Sequence, residues 1–501
     1  MKKHWGFLLL AVFVFVFASR LYFAFSIPYF SSDDAYFNLR QIEHIRSTGL
    51  PLFSDDLSYS GNTFVFSPVF HYIIAFFSLF MPVSFAANII PNLFASCTVF
   101  FMYLIVRRVT KNEGIGVFAG FISGFVPIFF ANMNDVSVYS LVIPLFFLLI
   151  YLFIRIRDKY CFYGYVFLLI FLSFVHPIIL VFCLGLVFFQ ILVIMESLGR
   201  DRAELEIILF SVFFVVWAQF LVYKRLFLFH GMSVVWQNIP SSLLSEHFLS
   251  ISALEAIYMV GVLPLMYGVY VVFRYLFRDP RKDVYLFISF VLSTGLLLWL
   301  RLIEFRVGLI FSGLILVLLF SQHFKLYINY VKQTRAHRLL PLFALFFVFA
   351  FIITSVLPSF ALAKNVVDSY ITSDEIDALV WIKEHTPRDA GVVASVKEGN
   401  LIAAVSERRN IIDSYFFLHK DVTLRLEDIK KIFTSSLEIE VVDLMEKYDA
   451  DYIYFSPVAI ETYKINFLPF VSSGKCFEKV YGNTAVSVYH KLDSCRLKVV
   501  V

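Results

Sequence analysis

The sequence has few charged residues and few glycines and prolines. Of its 501 residues, 16% are charged, 20 are glycine and 16 are proline, whereas 60% are hydrophobic and 62 are phenylalanine. Soluble domains are about 25% charged and about 45–50% apolar, so this composition excludes an ordinary soluble enzyme. The scarcity of glycine and proline, and the lack of a short repeat, also exclude disordered and fibrous chains. The composition is typical of a polytopic membrane protein.

Acidic residues are the minority in most of the chain but not at its end. Residues 1–360 contain 25 Lys and Arg against 17 Asp and Glu, whereas residues 361–501 contain 17 against 21. This change of sign predicts two domains, a transmembrane domain over 1–360 and a water-facing domain over 361–501. Cys97, Cys161 and Cys183 lie in or beside apolar runs and are expected to pack as small hydrophobic side chains.

Apolar stretches of about 15 to 23 residues recur through the first domain, close to the length that a helix needs to cross a bilayer. Eleven spans are predicted, near residues 5–27, 82–106, 115–131, 137–154, 162–176, 178–195, 205–222, 252–273, 284–300, 307–321 and 338–360. The short stretch 66–80 is expected to lie in the outer interface instead. A signal peptide is the alternative for the first stretch, but no small-x-small cleavage site is clear, so an uncleaved helix is expected.

Basic residues indicate the orientation, because short cytoplasmic loops collect Lys and Arg. Six basic clusters fall on one side of the eleven-span arrangement, at residues 2–3, 107–111, 155–159, 200–202, 278–282 and 325–338. The N-terminus is therefore expected in the cytoplasm, and the C-terminal domain outside it. The longest external loops are expected at residues 28–81 and 223–251.

The C-terminal domain alternates between two kinds of segment. DEIDALVWIKEHTP and SSLEIEVVDLMEKY have the apolar spacing of amphipathic helices, and GVVASV and ADYIYFS are typical of buried strands. A small extracytoplasmic α/β domain is therefore predicted. On the oxidising side of the membrane, Cys476 and Cys495 are expected to form a disulfide, with free thiols as the alternative.

The first outer loop opens with an acidic pair in SSDDAYFNLR. Asp33 and Asp34 are candidate ligands for a hard cation, because adjacent carboxylates near a membrane need a compensating charge. The alternative is that they cap a helix that begins near Ala35. A second pair, Asp55 and Asp56, is expected to lie in a solvated turn.

The next outer loop, ANMNDVSVY, carries Asn134 and Asp135 on the same side of the membrane. Carboxylates from the two loops are predicted to converge on one cation, and Mg²⁺ and Mn²⁺ prefer such oxygen ligands. A merely solvated loop aspartate is the alternative.

Two arginines stand between apolar spans in RLIEFRV. Arg301 and Arg306 flank Glu304 at the predicted outer boundary, where the guanidinium fork matches a lipid phosphate. The alternative is that both arginines anchor helix ends by extending their charged groups to the interface. Arg20, late in the first span, has the same two interpretations.

These loop sequences resemble the catalytic subunit of oligosaccharyltransferase, a GT-C glycosyltransferase. DAYFNLR is similar to the Asp-x-aromatic-Phe-Asn-x-Arg motif of its first external loop, and FSDD with SGNTFVFSPVFHY resembles the segment that follows. Asp135 falls where the second external loop is acidic, LLSEHF resembles a Ser-Glu-His segment, and RLIEFRV takes the place of the lipid-phosphate arginine. Together with DALVWIKEHTP, the resemblance covers nearly the whole chain in order.

The resemblance implies a GT-C-like fold, a Mn²⁺ or Mg²⁺ cofactor and a role for particular residues. Asp34 corresponds to the carboxylate that binds the metal and the acceptor, Asp135 to the second metal ligand, and Glu246 to the loop glutamate at the metal site. Arg306 corresponds to the arginine that contacts the donor phosphate, with Arg301 as the fallback.

The sequence departs from the family pattern at two places. The family has a Trp-Trp-Asp-Tyr-Gly motif that recognises an Asn-x-Ser/Thr acceptor. This chain has ASVKEGNLI at the corresponding place, and only Glu398 and Gly399 resemble residues of the motif. The second acidic motif lacks its partner carboxylate, since Ser137 stands two residues after Asp135, and Asp33 is the candidate to complete the metal site. The acceptor is therefore left open between protein, lipid and glycan.

The expected function is transfer of a sugar or oligosaccharide from a polyprenyl-phosphate-linked donor, metal-assisted and with inversion, on the outer face of the membrane. The first alternative is a GT-C transferase that uses a lipid monophosphate sugar and a lipid, glycan or hydroxyl acceptor. A transporter or lipid flippase is the second, but it would need charged or broken helices near the midplane. Membrane lipids are expected partners, and nucleic acid is not.

Overall fold

The computed structural model describes residues 3–199, 201–231, 251–278, 280–368, 371–473 and 475–495. A helical bundle is followed by a smaller α/β domain. The helices before residue 232 are α1 (Lys3–Ala24), α2 (Asp33–Thr48), α3 (Val69–Phe77), α4 (Val83–Ser96), α5 (Thr98–Thr110), α6 (Glu113–Gly124), α7 (Pro127–Ala131), α8 (Tyr139–Ile154), α9 (Lys159–Val175), α10 (Ile179–Met195), α11 (Arg202–Val222) and α12 (Lys224–His230). The bundle continues with α13 (Ala253–Val260), α14 (Val262–Phe277), α15 (Lys282–Trp299), α16 (Phe305–Gln333), α17 (Leu340–Phe351) and α18 (Leu357–Asp368).

Each of the eleven predicted spans coincides with one helix or with consecutive helices. Within the described residues, six helical runs are long and apolar enough to cross a membrane, or up to eight if each bent pair is one span. The bent pairs are α6 with α7, at 52°, and α13 with α14, at 95°. The remaining three predicted spans are the shorter apolar helices α8, α9 and α10. The protein is thus a multi-pass, mainly helical membrane protein.

The sharper bend lies at Gly261, between α13 and α14. Its φ of 100° is a conformation that glycine adopts readily and other residues avoid. The amide of Gly261 donates to the carbonyl of Ile257 at 3.0 Å, which closes α13. Pro264 then lies in the first turn of α14, where a missing N–H disrupts no helical hydrogen bond.

The longest helix, α16, forms the centre of the bundle. Nearly every residue from Val307 to Phe324 is buried, and α16 packs against α6, α14 and α15. Its N-terminal end carries Glu304 and Arg306. By contrast, α3 has nine residues and is too short to cross a bilayer, since it rises by only about 14 Å.

The C-terminal domain is built on one mixed sheet. Its helices are α19 (Ser373–His385), α20 (Gly399–Val405), α21 (Val422–Thr434), α22 (Glu438–Lys447) and α23 (Pro457–Tyr463). A two-stranded hairpin in the first loop, β1 (Ser54–Asp55) and β2 (Asn62–Thr63), precedes the five strands of the domain: β3 (Gly391–Val393), β4 (Arg409–Asn410), β5 (Tyr452–Phe455), β6 (Phe477–Gly482) and β7 (Ser487–Lys491).

The strand order is β4-β3-β5-β7-β6. Strand β3 is parallel to β4 and β5, whereas β7 is antiparallel to β5 and β6. Both predicted amphipathic helices and both predicted strands are present, as α19, α22, β3 and β5. Cys476 and Cys495 form a disulfide with their Cα atoms 5.5 Å apart. The last bundle helix continues past the expected boundary at residue 360 to Asp368.

Candidate functional site

The acidic pair of the first loop lies at the start of α2. Ser32 is the N-cap, and its hydroxyl accepts a hydrogen bond from the amide of Ala35 at 3.3 Å. Asp33 and Asp34 occupy the first turn, where the helix dipole favours negative charge. The alternative that the aspartates themselves cap the helix is therefore wrong, because the residue before them does so.

The two acidic loops meet at this helix start. The amide of Ser31 donates to Oδ1 of Asn134 at 3.2 Å, and the hydroxyl of Ser32 donates to Oδ1 of Asp135 at 2.5 Å. Asp34 follows Ser32 by two residues, and the charges of Asp34 and Asp135 both act on Glu304, so the two predicted carboxylates lie in the same region. The structure thus brings together residues that are about a hundred positions apart in the chain.

A third carboxyl group, Glu304, belongs to the same site. Burial and the charges of Asp34 and Asp135 raise its pKa to about 7, and the charge of Arg306 partly offsets them. Glu304 precedes α16 and comes from the RLIEFRV segment. The sequence indicates this segment as a site because of its arginines. It does not predict that Glu304 lies near Asp34 and Asp135.

The two candidate phosphate-binding arginines lie at the same end of α16. Arg306 is exposed in the first turn, and its charge acts on Glu304. Arg301 is also exposed and has a positive φ of 55° in the turn before the helix. Both positions are compatible with a phosphate beside the acidic site. Glu246, the third predicted catalytic residue, lies outside the described residues.

Asp33 is bound by the C-terminal domain. Its Oδ1 accepts a hydrogen bond from the amide of Leu401 at 2.8 Å, and its Oδ2 accepts one from the side-chain amide of Asn400 at 2.7 Å. Burial and the neighbouring charge of Asp34 raise its pKa to about 8. With both oxygens engaged, Asp33 anchors two domains, which argues against its predicted use as a metal ligand.

The C-terminal domain also contacts Asp34. The hydroxyl of Ser414 donates to Oδ1 of Asp34 at 3.1 Å and accepts from the side-chain amide of Asn400 at 3.1 Å. Next to Ser414, the ring of Tyr415 stacks on Phe37 of α2, with centroids 3.7 Å apart. Sequence reasoning missed Asn400 and Ser414. The only local signal for Asn400 was its place in ASVKEGNLI, and Ser414 had none.

The second acidic pair is divided between two environments. Asp55 is buried and accepts two hydrogen bonds from the guanidinium of Arg40, at 2.7 and 2.9 Å, whereas Asp56 is exposed. The expected solvated turn is thus wrong for Asp55, because Arg40 of α2 supplies its counter-charge. The hairpin that follows is held to the C-terminal domain by Ser58, which donates to Asp413 at 2.5 Å.

Arg20 matches neither sequence interpretation. It is 2% exposed, and its guanidinium donates to Oδ1 of Asn92 at 2.9 Å and to the carbonyl of Phe129 at 3.0 Å. The side-chain amide of Asn92 in turn donates to the carbonyl of Met133 at 2.7 Å. Arg20 is therefore neither a phosphate ligand nor an interfacial anchor. It supports the loop that carries Asp135.

Two cavities adjoin the acidic loops. The acidic cavity has a volume of about 570 Å³ and lies between the first loop and the C-terminal domain; its lining includes Asp33, Asp34, Glu375, Lys397, Glu398 and Glu461. The apolar cavity has a volume of about 410 Å³ and lies toward the bundle; its lining includes Phe37, Phe66, His71, Leu180, Tyr223 and Phe227. Polar and apolar ligands thus have separate places near Asp34.

The donor chemistry of the site suits a divalent cation. Asp34 and Asp135 supply carboxylate oxygens; burial is the main cause of the raised pKa of Glu304, and the charges of these two aspartates add to it. Within the part of the chain that the structure describes, no three His, Cys, Asp or Glu residues are arranged to hold a metal ion. A cation bound here would therefore have at most two of these protein ligands among the described residues and would need water or substrate oxygens to complete its coordination.

No family model matches the sequence, and no curated protein matches it either. Solved structures do match. The apo oligosaccharyltransferase of Archaeoglobus fulgidus has a TM-score of 0.68 at 14% identity, over 98% of this chain and 75% of that one. The same organism's AglB in complex with an inhibitory peptide and a dolichol-phosphate gives 0.67 at 13% identity, over 98% and 75%.

A second protein has a similar fold. ArnT from Cupriavidus metallidurans, bound to undecaprenyl phosphate, gives a TM-score of 0.56 at 10% identity, over 99% of this chain and 100% of that one. Both neighbours are members of the GT-C superfamily. The resemblance drawn from the loop motifs is thus confirmed at the level of the fold.

Proposed function

We propose that the protein transfers a sugar or oligosaccharide from a polyprenyl-phosphate-linked donor to an acceptor on the non-cytosolic face of the membrane. The observation that supports this most strongly is the meeting of Asp34, Asp135 and Glu304 with Arg306 at one end of the bundle. The solved neighbours carry dolichol-phosphate in one case and undecaprenyl phosphate in the other, which agrees with such a donor.

The donor lipid has a suitable place beside the site. The apolar cavity is lined by side chains of the helical bundle and by Phe37 of α2, the helix that carries Asp34. An isoprenoid chain that approaches from the bilayer would bury its apolar surface there. Arg306 would then bind the phosphate, because a guanidinium pairs with phosphate oxygens through two parallel hydrogen bonds.

The reaction would be a single displacement at the anomeric carbon. Asp34 orients the acceptor and takes its proton, while the acceptor oxygen or nitrogen forms a bond to that carbon. The bond from the carbon to the phosphate oxygen breaks, and the electron pair stays on the phosphate, where Arg306 stabilises the charge. A divalent cation held by Asp34 and Asp135, with Mn²⁺ and Mg²⁺ as the candidates, would supply further stabilisation of the leaving phosphate.

The central experiment measures transfer by purified full-length protein. Lipid-linked sugar would be supplied with Mn²⁺, together with Asn-x-Thr peptides and matched peptides that lack the sequon. Asp34→Asn and Asp135→Asn should each lower transfer by about 100-fold, the usual effect of losing one transition-state contact. Asp56→Asn is the matched control, because Asp56 is an exposed aspartate of the same loop, and it should stay near the wild-type rate. Equal rates in all three variants would contradict the proposal.

A second candidate is a transferase that uses a lipid monophosphate sugar and a lipid, glycan or hydroxyl acceptor. Two observations favour it: residues 394–402 lack the tryptophan pair expected of a sequon reader, and ArnT matches this chain over the full length of both. Transfer to a lipid or hydroxyl acceptor, with none to either peptide, would select this candidate over the first.

A further inference from the structure

A buried carboxyl group lines the acidic cavity. Glu398 is 2% exposed, and neither of its carboxylate oxygens makes a hydrogen bond of good geometry, although the hydroxyl of Ser456 and the backbone of Ser395 lie close enough to act on it. It lies directly before α20, next to the residues that bind Asp33. Burial is the main cause that raises its pKa to about 8; the charges of Glu375 and Asp33 add to this effect, and the hydroxyl of Ser456 and the backbone of Ser395 oppose it. Such a group is unfavourable as a free anion and needs either a proton or a cation.

The other acidic groups of the cavity differ from Glu398 in their contacts. Glu375 is part of a capping box and accepts hydrogen bonds from the amide and hydroxyl of Thr372, both at 2.8 Å. Asp33 is bound by Asn400 and Leu401, and Glu461 is exposed. Asp34 accepts a hydrogen bond from Ser414. Glu398 is thus the buried carboxyl group of this lining that makes no hydrogen bond of good geometry, which suits a carboxylate that binds a ligand.

Positive charge is scarce around this cavity. Its described lining contains five carboxyl groups, and Lys397 is the one basic side chain among them. Lys397 is exposed, and it forms no hydrogen bond with the neighbouring Glu398. Among the described lining residues, carboxyl groups therefore outnumber basic side chains by five to one.

We propose that the acidic cavity binds a primary ammonium group of the acceptor, with Glu398 as its counter-ion. This proposal rests on the proposed transfer function in one respect: it identifies the ligand as the acceptor of that reaction. The reason is that Asp34 lines the same cavity. An ammonium group has three donors and no acceptor, so it can pair with Glu398 and still bond to other oxygens of the lining. A neutral ligand of the same shape would leave a buried carboxyl group unpaired, which gives the site its selectivity.

The test is equilibrium binding to the full-length protein without any donor lipid. One probe pair is a short peptide that contains lysine and the same peptide with acetyl-lysine; the other is glucosamine and N-acetylglucosamine. The pairs differ in the charge of one nitrogen and distinguish a peptide source of the ammonium group from a sugar source. At pH 7 the amines of both cationic probes are mainly protonated, and a bound ammonium group favours the ionised form of Glu398, so the cationic member of at least one pair should bind at least tenfold tighter.

Substitutions test whether the preference for the cationic probe depends on Glu398. Glu398→Gln, which keeps the shape and removes the charge, should reduce the preference to less than about twofold, whereas Glu398→Asp should retain part of it. Glu384→Gln is the control, because Glu384 is an exposed glutamate of α19 that does not line the cavity, and it should retain the full preference.

Two results would overturn the proposal. One is equal binding of both members of both pairs by the wild type, which needs no variant to fold. The other is a preference that persists in Glu398→Gln. Failure of the proposed transfer function would be a separate result. It would appear as an absence of sugar transfer by the wild type. The binding measurement contains no donor and would not be affected.

Discussion

The hydroxyl of Ser32 lies 2.5 Å from Oδ1 of Asp135, so the N-cap of α2 binds the carboxylate of the second acidic loop. A single side chain therefore starts the helix that carries Asp34 and holds Asp135 beside it. This contact gives Ser32 a role in positioning the site that its residue type alone would not suggest.

Ser32→Ala should therefore lower transfer strongly and stability only slightly. A lost N-cap decreases the free energy of unfolding by about 1 kcal/mol, whereas a carboxylate displaced by about 1 Å can reduce a rate by about 100-fold. Transfer rate and melting temperature would be measured on the same preparations. Ser47→Ala, at the other end of α2, should change neither, and Ser32→Thr should restore most activity. A large fall in melting temperature without a change in rate would refute the positioning role.

Arg20→Met should destabilise the bundle. Removal of the guanidinium leaves Oδ1 of Asn92 and the carbonyl of Phe129 buried without a donor, at about 1–3 kcal/mol each. Thermal unfolding in detergent should show a clearly lower midpoint. Arg202→Met is the matched control, because the side chain of Arg202 is 92% exposed. Equal midpoints for the two variants would show that the buried contacts of Arg20 contribute little.

Glu398→Gln should stabilise the protein at high pH. The pKa of Glu398 is about 8 in the folded protein and about 4.5 for an ordinary glutamate, so the folded state holds its proton more tightly. The wild type therefore loses stability as the pH rises from about 4.5 through about 8, and the glutamine variant does not lose this contribution. Melting temperatures across this range should diverge in favour of the variant.

Glu384→Gln serves as the control here as well, since Glu384 is exposed. Its melting curves should follow those of the wild type at every pH. If Glu398→Gln and the wild type show the same pH dependence, then burial of this carboxyl group does not limit stability at high pH.

Replacement of both Cys476 and Cys495 by serine should weaken the C-terminal domain. The two residues are 19 positions apart, and closure of a loop of this size contributes roughly 3 kcal/mol to the free energy of unfolding. A reductant should lower the melting temperature of the wild type and leave the double variant unchanged. Insensitivity of the wild type to reductant would mean that the bond adds no stability.

Local sequence patterns were enough to predict most of the fold. Apolar runs of about 15 to 23 residues predicted eleven spans, and each span coincides with one helix or with consecutive helices. Periodicity predicted α19, α22, β3 and β5. These patterns did not predict the bends between α6 and α7 and between α13 and α14. A conformation such as that of Gly261 depends on a single residue inside an apolar run, which a composition average cannot detect.

The site was predictable only in part, because its contacts join distant segments. Asp34 and Asp135 could be identified from their loops, but the hydrogen bonds of Asp33 to Asn400 and Leu401 span more than 360 residues. Asp55 shows the same limit: only the folded arrangement of α2 places Arg40 beside it, and without that partner a solvated turn is the reasonable expectation.

The hydrogen bonds of Asp33 with Asn400 and Leu401 also have a consequence for biosynthesis. The acidic pair is made within the first few dozen residues, yet the groups that bind it are added only after about four-fifths of the chain has been translated. In a nascent chain, the proposed site therefore lacks these hydrogen bonds until the C-terminal domain has emerged and docked. We expect a product truncated before residue 400 to leave Asp33 without these partners and the proposed site incomplete.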